Sequence, residues 1–158
     1  MDEFEIKVDM LLSSLEKKRE ALNVILNITE NQNLVLSDRS NPAYAAMFNE
    51  MNVIKQENID AVIEMDSLFQ GVFGGISDGF EQGAENCKTK VSLMQDIITE
   101  VLETDIKIRA AEQRNRVIAD EIRRTVNTPD TPPPKSQPNA TTRNHLLKQY
   151  EKNKKNNG

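Results

Sequence analysis

This 158-residue chain is 37% apolar, only 4% aromatic and without Trp, while 28% of it is charged. That is too little large hydrophobe for a compact globule, and it suits long helices that bury a seam. Residues 1–126 hold 14 Lys and Arg against 23 Asp and Glu, a net of −9, whereas residues 127–158 hold 6 against 2, a net of +4. The acidic body argues against a nucleic-acid footprint, and the basic tail either folds back on that body or is simply solvated.

The lone Cys87 has no internal disulfide partner, which is compatible with a reducing, cytoplasmic compartment. The N-terminus, Met1-Asp2-Glu3-Phe4-Glu5, is acidic where a secretory signal is basic. The longest run with few charges, Ser67 to Ser77, is short and Gly-rich. The expectation is a cytoplasmic protein with no membrane insertion.

The first segment, about residues 2–38, places Phe4, Val8, Leu11, Leu15, Leu22, Ile25 and Thr29 on an alternating four-three spacing, with Lys18 in one slot. Leu12 and Leu26 widen the stripe and no Gly or Pro interrupts it, which predicts one long amphipathic helix. Asn41-Pro42 then reads as an N-cap followed by the first helical position. A second helix, about 42–73, is expected to turn Tyr44, Met47, Phe48, Met51, Ile54, Ala61, Val62, Met65, Leu68 and Phe69 inward. The short connection makes these two helices antiparallel neighbours.

Gly71, Gly74, Gly75 and Gly79 weaken the helical pattern, at about 1 kcal/mol each relative to Ala. A break near 74–79 is expected, with Asp78 and Glu81 as a capping box for the next helix. The alternative is a continuous helix in which Gly71, Gly75, Gly79 and Gly83 form a smooth strip. The third helix, about 79–126, repeats Phe80, Cys87, Val91, Met94, Ile98, Val101 and Ile108, with Ala84 and Asp105 in the remaining slots. At about 1.5 Å per residue it is the longest rod and is expected to overhang the others. Residues 127–142 hold five of the six prolines and read as a linker. Residues 143–158 form a basic tail, a candidate short helix around Leu146, Leu147 and Tyr150. The fold class is therefore all-α: an elongated, coiled-coil-like bundle of three antiparallel helices with a C-terminal tail.

No catalytic residue, metal ligand set or cofactor site emerges. His145 is the only histidine and lies in the tail, so a His-based acid–base pair has no rigid seat. Cys87 has no neighbouring Cys or His, and its position reads as a packed small hydrophobe. The glycines match no phosphate-binding loop.

Met65-Asp66-Ser67-Leu68-Phe69, Gly75-Ile76 and Lys107-Ile108-Arg109-Ala110-Ala111-Glu112-Gln113-Arg114-Asn115, with Leu15-Glu16-Lys17-Lys18-Arg19-Glu20-Ala21-Leu22 in the first helix, resemble the clostridial branch of the FlgN/FliT-like flagellar export chaperones. The resemblance covers residues 1–126, and the Gly-rich segment and the tail depart from the family pattern. It implies a cytoplasmic chaperone, not an enzyme, in flagellum biogenesis and type III protein export. Its partners would be hook-associated flagellar subunits and the export apparatus. Such a chaperone covers the apolar face of a client's terminal amphipathic helix. The expected contact surface is the distal third helix, with Ile106, Ile108, Val117, Ile118 and Ile122 supplying area and Arg109 and Arg116 setting register. Leu146, Leu147 and Tyr150 are expected to cover that stripe when no client is bound. The alternative is a self-associating coiled-coil structural or adaptor protein, a homodimer for instance, without a flagellar client.

Overall fold

The structure is a computed structural model that describes residues 2–126. It contains α1 (Glu3–Ser37), α2 (Tyr44–Gly74), the short α3 (Phe80–Ala84), a 3₁₀ turn (Glu85–Cys87) and α4 (Lys88–Val126). No strand occurs among the described residues. Residues 127–158, with the expected linker and the tail residues Leu146, Leu147 and Tyr150, lie outside them.

α1 starts where Asp2 accepts a hydrogen bond from the Glu5 amide at 2.7 Å, satisfying an otherwise orphaned donor. Glu3 and Glu5 add negative charge to the first turn, where the helix dipole favours it. The four-three stripe read from the sequence is the buried face: Val8, Leu11, Leu15, Leu22, Ile25 and Thr29 are all buried. Lys18, in the odd slot, stays half-buried and pairs with Asp66 of α2 at 2.6 Å.

α2 begins at Tyr44, two residues later than the Asn-Pro pair suggests. Asn41 is not its N-cap: that residue is Ala43, without a side-chain cap bond, and Asn41 instead closes the preceding turn, its Oδ1 accepting from the Ala43 amide at 3.0 Å. Lys18–Asp66 and Gln32–Asn52 set α2 antiparallel to α1, as expected. Pairs Glu5–Lys90, Arg19–Glu100 and Thr29–Asn115 run in the same order along both helices, so α4 is parallel to α1. The bundle is therefore up, down, up.

The break falls within the glycine cluster. α2 stops at Gly74, and the chain turns through Gly79, whose φ of 82° is in the left-handed region that suits glycine. Asp78 and Glu81 form no capping box: the cap residue of α3 is Gly79, without a side-chain cap bond. The continuous glycine strip is not formed either. Gly83 makes the one tight approach to a neighbouring helix, where a Cβ would meet the Phe4 ring at 2.5 Å, while a Cβ at Gly75 would be in ordinary contact with Lys7 Nζ at 3.5 Å. Phe4, Phe80, Phe73 and Phe69 follow one another at centroid distances of 5.7, 5.5 and 5.9 Å, closing this end of the bundle.

The third rod does not overhang. The 3₁₀ turn at Glu85–Cys87 shortens its regular part to the 39 residues of α4, close to the 35 of α1. The two match end to end, and Arg39 beyond α1 reaches the Thr125 hydroxyl at 3.5 Å.

Candidate functional site

Two apolar clusters fill the interior. The larger runs from Val8 to Ile25 on α1 with Ile59 and Val62 of α2 and Met94, Ile97, Val101 and Ile108 of α4. The smaller, at the other end, is Leu36, Phe48 and Ile122. Between them lies a polar layer contributed by all three long helices. Asn52 of α2 accepts from Gln32 Nε2 of α1 at 2.7 Å. Asn115 of α4 donates to the Thr29 carbonyl of α1 at 2.9 Å. Lys55 of α2 forms an ion pair and hydrogen bond with Glu112 Oε1 of α4; the Thr29 hydroxyl lies 3.5 Å from that oxygen and donates to the Ile25 carbonyl at 2.7 Å. Lys55 is 1% exposed, Glu112 5% and Asn115 0%. Sliding α4 by one turn would bury these groups among Leu and Ile without partners, so the layer sets the register of the bundle. It also explains why α2 departs from its apolar reading. Its buried positions are Phe48, Asn52, Lys55, Ile59 and Val62, whereas Met47, Ile54 and Leu68 remain exposed.

The residues expected to contact a partner divide. Ile108 and Ile122 are only 2% and 7% exposed and belong to the two clusters. Ile118 is half-buried against the smaller one. These three do not form a free stripe, because α4 never leaves α1. Arg109 is exposed and pairs with the buried Asp105 at 3.2 Å. Arg116 is half-buried. Ile106 and Val117 do face solvent, at 66% and 48%.

Sequence reading missed the neighbours of Ile106. Ile98, expected in the core, is 37% exposed and Ile97 takes the buried position instead. Leu102 is 52% exposed. Ile98, Leu102 and Ile106 follow at intervals of four and form one ridge, which Ala110 and Val117 continue along the same side. The signal was present as a second four-residue series offset from the buried one, but a single sequence does not say which series faces inward.

A second apolar surface lies at the other side of α2. Ile6, Asp9, Met10, Ser13, Ser14 and Lys17 of α1 and Met65 and Leu68 of α2 line an open groove of ≈ 400 Å³. Near its end Lys90 of α4 bridges Asp9 at 2.8 Å and Glu5 at 3.0 Å. These two carboxylate bonds push the Lys90 ammonium up to about 12. Cys87, three residues before it, has its thiol raised by burial, with Glu5 and Asp2 adding to the effect. Among the described residues no group of three or more His, Cys, Asp or Glu is placed to hold a metal ion, and no helix is long and apolar enough to cross a membrane.

Fold and surfaces together define a three-helix bundle with a polar layer at its centre and apolar side chains left on its outer faces. Comparison with protein-family models, with curated proteins and with solved structures finds no match to this chain.

Proposed function

We propose that the protein is a helix-holding chaperone of the FlgN/FliT-like export type that its sequence resembles. It covers the terminal amphipathic helix of a hook-associated flagellar subunit in the cytoplasm and keeps the subunit unassembled until export. The observation that carries this reading is the ridge of Ile98, Leu102 and Ile106, three large apolar side chains exposed in series on a helix whose opposite face is already packed. Such a series gives a partner helix a continuous apolar strip, with contacts about one turn apart. A self-associating structural protein is the competing reading, since a second copy can cover the same strip.

Light scattering of the full chain, alone and with a peptide of a hook-associated subunit's terminal helix, separates the two. A chaperone gives a defined heterocomplex, and Leu102→Gln with Ile106→Gln weakens it at least tenfold. A stable homo-oligomer whose mass ignores the peptide overturns the proposal, as does a complex indifferent to the two substitutions.

A further inference from the structure

α2 carries two lines at coiled-coil spacing, and the bundle uses one of them. The inward line holds Phe48, Asn52, Lys55, Ile59 and Val62. Offset from it by one residue runs an outer line, Met51, Ile54, Asn58, Ala61, Met65 and Leu68, spaced three and four residues apart in turn. That is the spacing of a helix-pairing seam over almost three heptads. Ile54 and Leu68 are 50% and 41% exposed, and the other four are half-buried. At its Met65–Leu68 end the line forms one wall of the ≈ 400 Å³ groove, opposite Ile6 and Met10 of α1. No residue of α4 lines that groove, so this seam and the ridge on α4 are separate surfaces. Asn58 stands at the middle of the line, its Nδ2 donating to the Ile54 carbonyl at 3.0 Å. A lone polar group in such a seam favours an occupant with a polar side chain at the same level, and so fixes its register.

The flank of this line is acidic. Glu50, Glu57 and Glu64 precede Met51, Asn58 and Met65 by one residue each and are exposed, and none is in an ion pair among the described residues. Lys55 is the one base between Tyr44 and Gly74, and it is buried against Glu112. α2 therefore presents no cation to an occupant. On the α1 wall of the groove Asp9 and Lys17 carry one charge of each sign, so the Glu row decides the charge that the seam accepts. A second copy docked through α2 brings another helix without an exposed base and leaves the row unneutralised. We propose that the seam binds a cationic amphipathic helix of a partner protein, with apolar residues at heptad spacing and Lys or Arg along the flank that meets Glu50, Glu57 and Glu64. The site is independent of the ridge on α4, so this partner and a client helix can be held together. Met10, Met51 and Met65 suit the task, because unbranched thioether side chains adapt to the shape of an incoming helix.

The proposal goes beyond the client reading, and its test contains no client. The probe is a labelled peptide of about 21 residues with Leu at the heptad core positions, one central Asn and Lys on both flanks. Its twin carries Glu in place of Lys. Fluorescence anisotropy follows each peptide against the full chain. The Lys peptide is expected to bind about tenfold more tightly than the Glu peptide, and about 0.5 M salt should narrow the gap. Glu57→Lys with Glu64→Lys, at exposed positions, should reverse the preference. Ile54→Gln with Leu68→Gln, also exposed, should weaken the Lys peptide about tenfold, whereas Leu102→Gln with Ile106→Gln should leave it unchanged. Equal affinity for the two peptides overturns the proposal, as does a preference that survives the Glu57 and Glu64 substitutions. Loss of binding in the Leu102 and Ile106 variant moves the site to the ridge and overturns it too. So does a chain that is dimeric by itself and becomes monomeric with Ile54→Gln and Leu68→Gln, which would mark a second copy as the occupant.

Discussion

Lys55 on α2 and Glu112 on α4 form an ion pair almost wholly removed from solvent, at the point where the antiparallel outer helices meet across α1. Desolvating two charges is costly, and the pair persists because the ammonium and the carboxylate are in direct hydrogen-bonded contact there. Removing one partner leaves the other buried and uncompensated. Lys55→Met and Glu112→Leu should each destabilise the bundle by about 3–5 kcal/mol, and the double substitution should recover most of that loss. Urea denaturation of the four proteins measures the cycle. Single variants within about 1 kcal/mol of wild type would mean that the pair is not buried.

The glycines should respond in opposite directions. At Gly83 an added methyl meets the Phe4 ring at 2.5 Å, and that ring is packed on Phe80, so Gly83→Ala should cost about 1–3 kcal/mol. At Gly71, inside the last turns of α2, nothing lies within 4 Å, so Gly71→Ala should stabilise by about 0.5–1 kcal/mol. Thermal melts of the two variants read both signs, and equal shifts would contradict the close approach at Gly83.

Adjacent isoleucines on α4 should separate binding from folding. Ile108 is core, and Ile108→Ala should cost about 2–5 kcal/mol. Ile106 is 66% exposed, and Ile106→Gln should stay within about 0.5 kcal/mol of wild type in denaturation while weakening capture of an amphipathic helix. A large loss of stability in Ile106→Gln would place that side chain in an interface between copies.

Alkaline pH should expose the cluster at the start of α4. The Lys90 ammonium sits at about 12, above its ordinary 10.5, so its stabilising effect is complete below 10.5 and disappears as pH rises from there through about 12. The Cys87 thiol is also raised, from 9.0, so above pH 9 the unfolded chain loses that proton more readily than the folded one and stability falls again. Urea midpoints should fall above pH 9, and Lys90→Met should flatten the part of the fall between pH 10.5 and 12. Alkylation of Cys87 at pH 8 should be slow in the folded protein and fast in urea. Alkylation at equal rates in both states would contradict its burial.

The first helix was largely legible, because its four-three series has one amphipathic solution and Val8, Leu11, Leu15, Leu22, Ile25 and Thr29 are buried accordingly, whereas the burial of Ser14 and Gln32 was not read. The break at Gly74–Gly79 and the antiparallel first pair were legible for the same kind of local reason, glycine cost and a short connection. The sequence did not disclose that Asn52, Lys55, Glu112 and Asn115 point inward. Polar residues read as solvent-facing until a partner from another helix is known, and each partner here comes from a different helix. Nor did it disclose which apolar residues stay outside. Ile97 and Ile98, or Ile106 and Ile108, are chemically alike, and only the rotation of α4 against α1 and α2 decides which is buried. Periodicity determined that three amphipathic helices would form. Their mutual register, set by the polar layer, determined which apolar side chains were left for a partner.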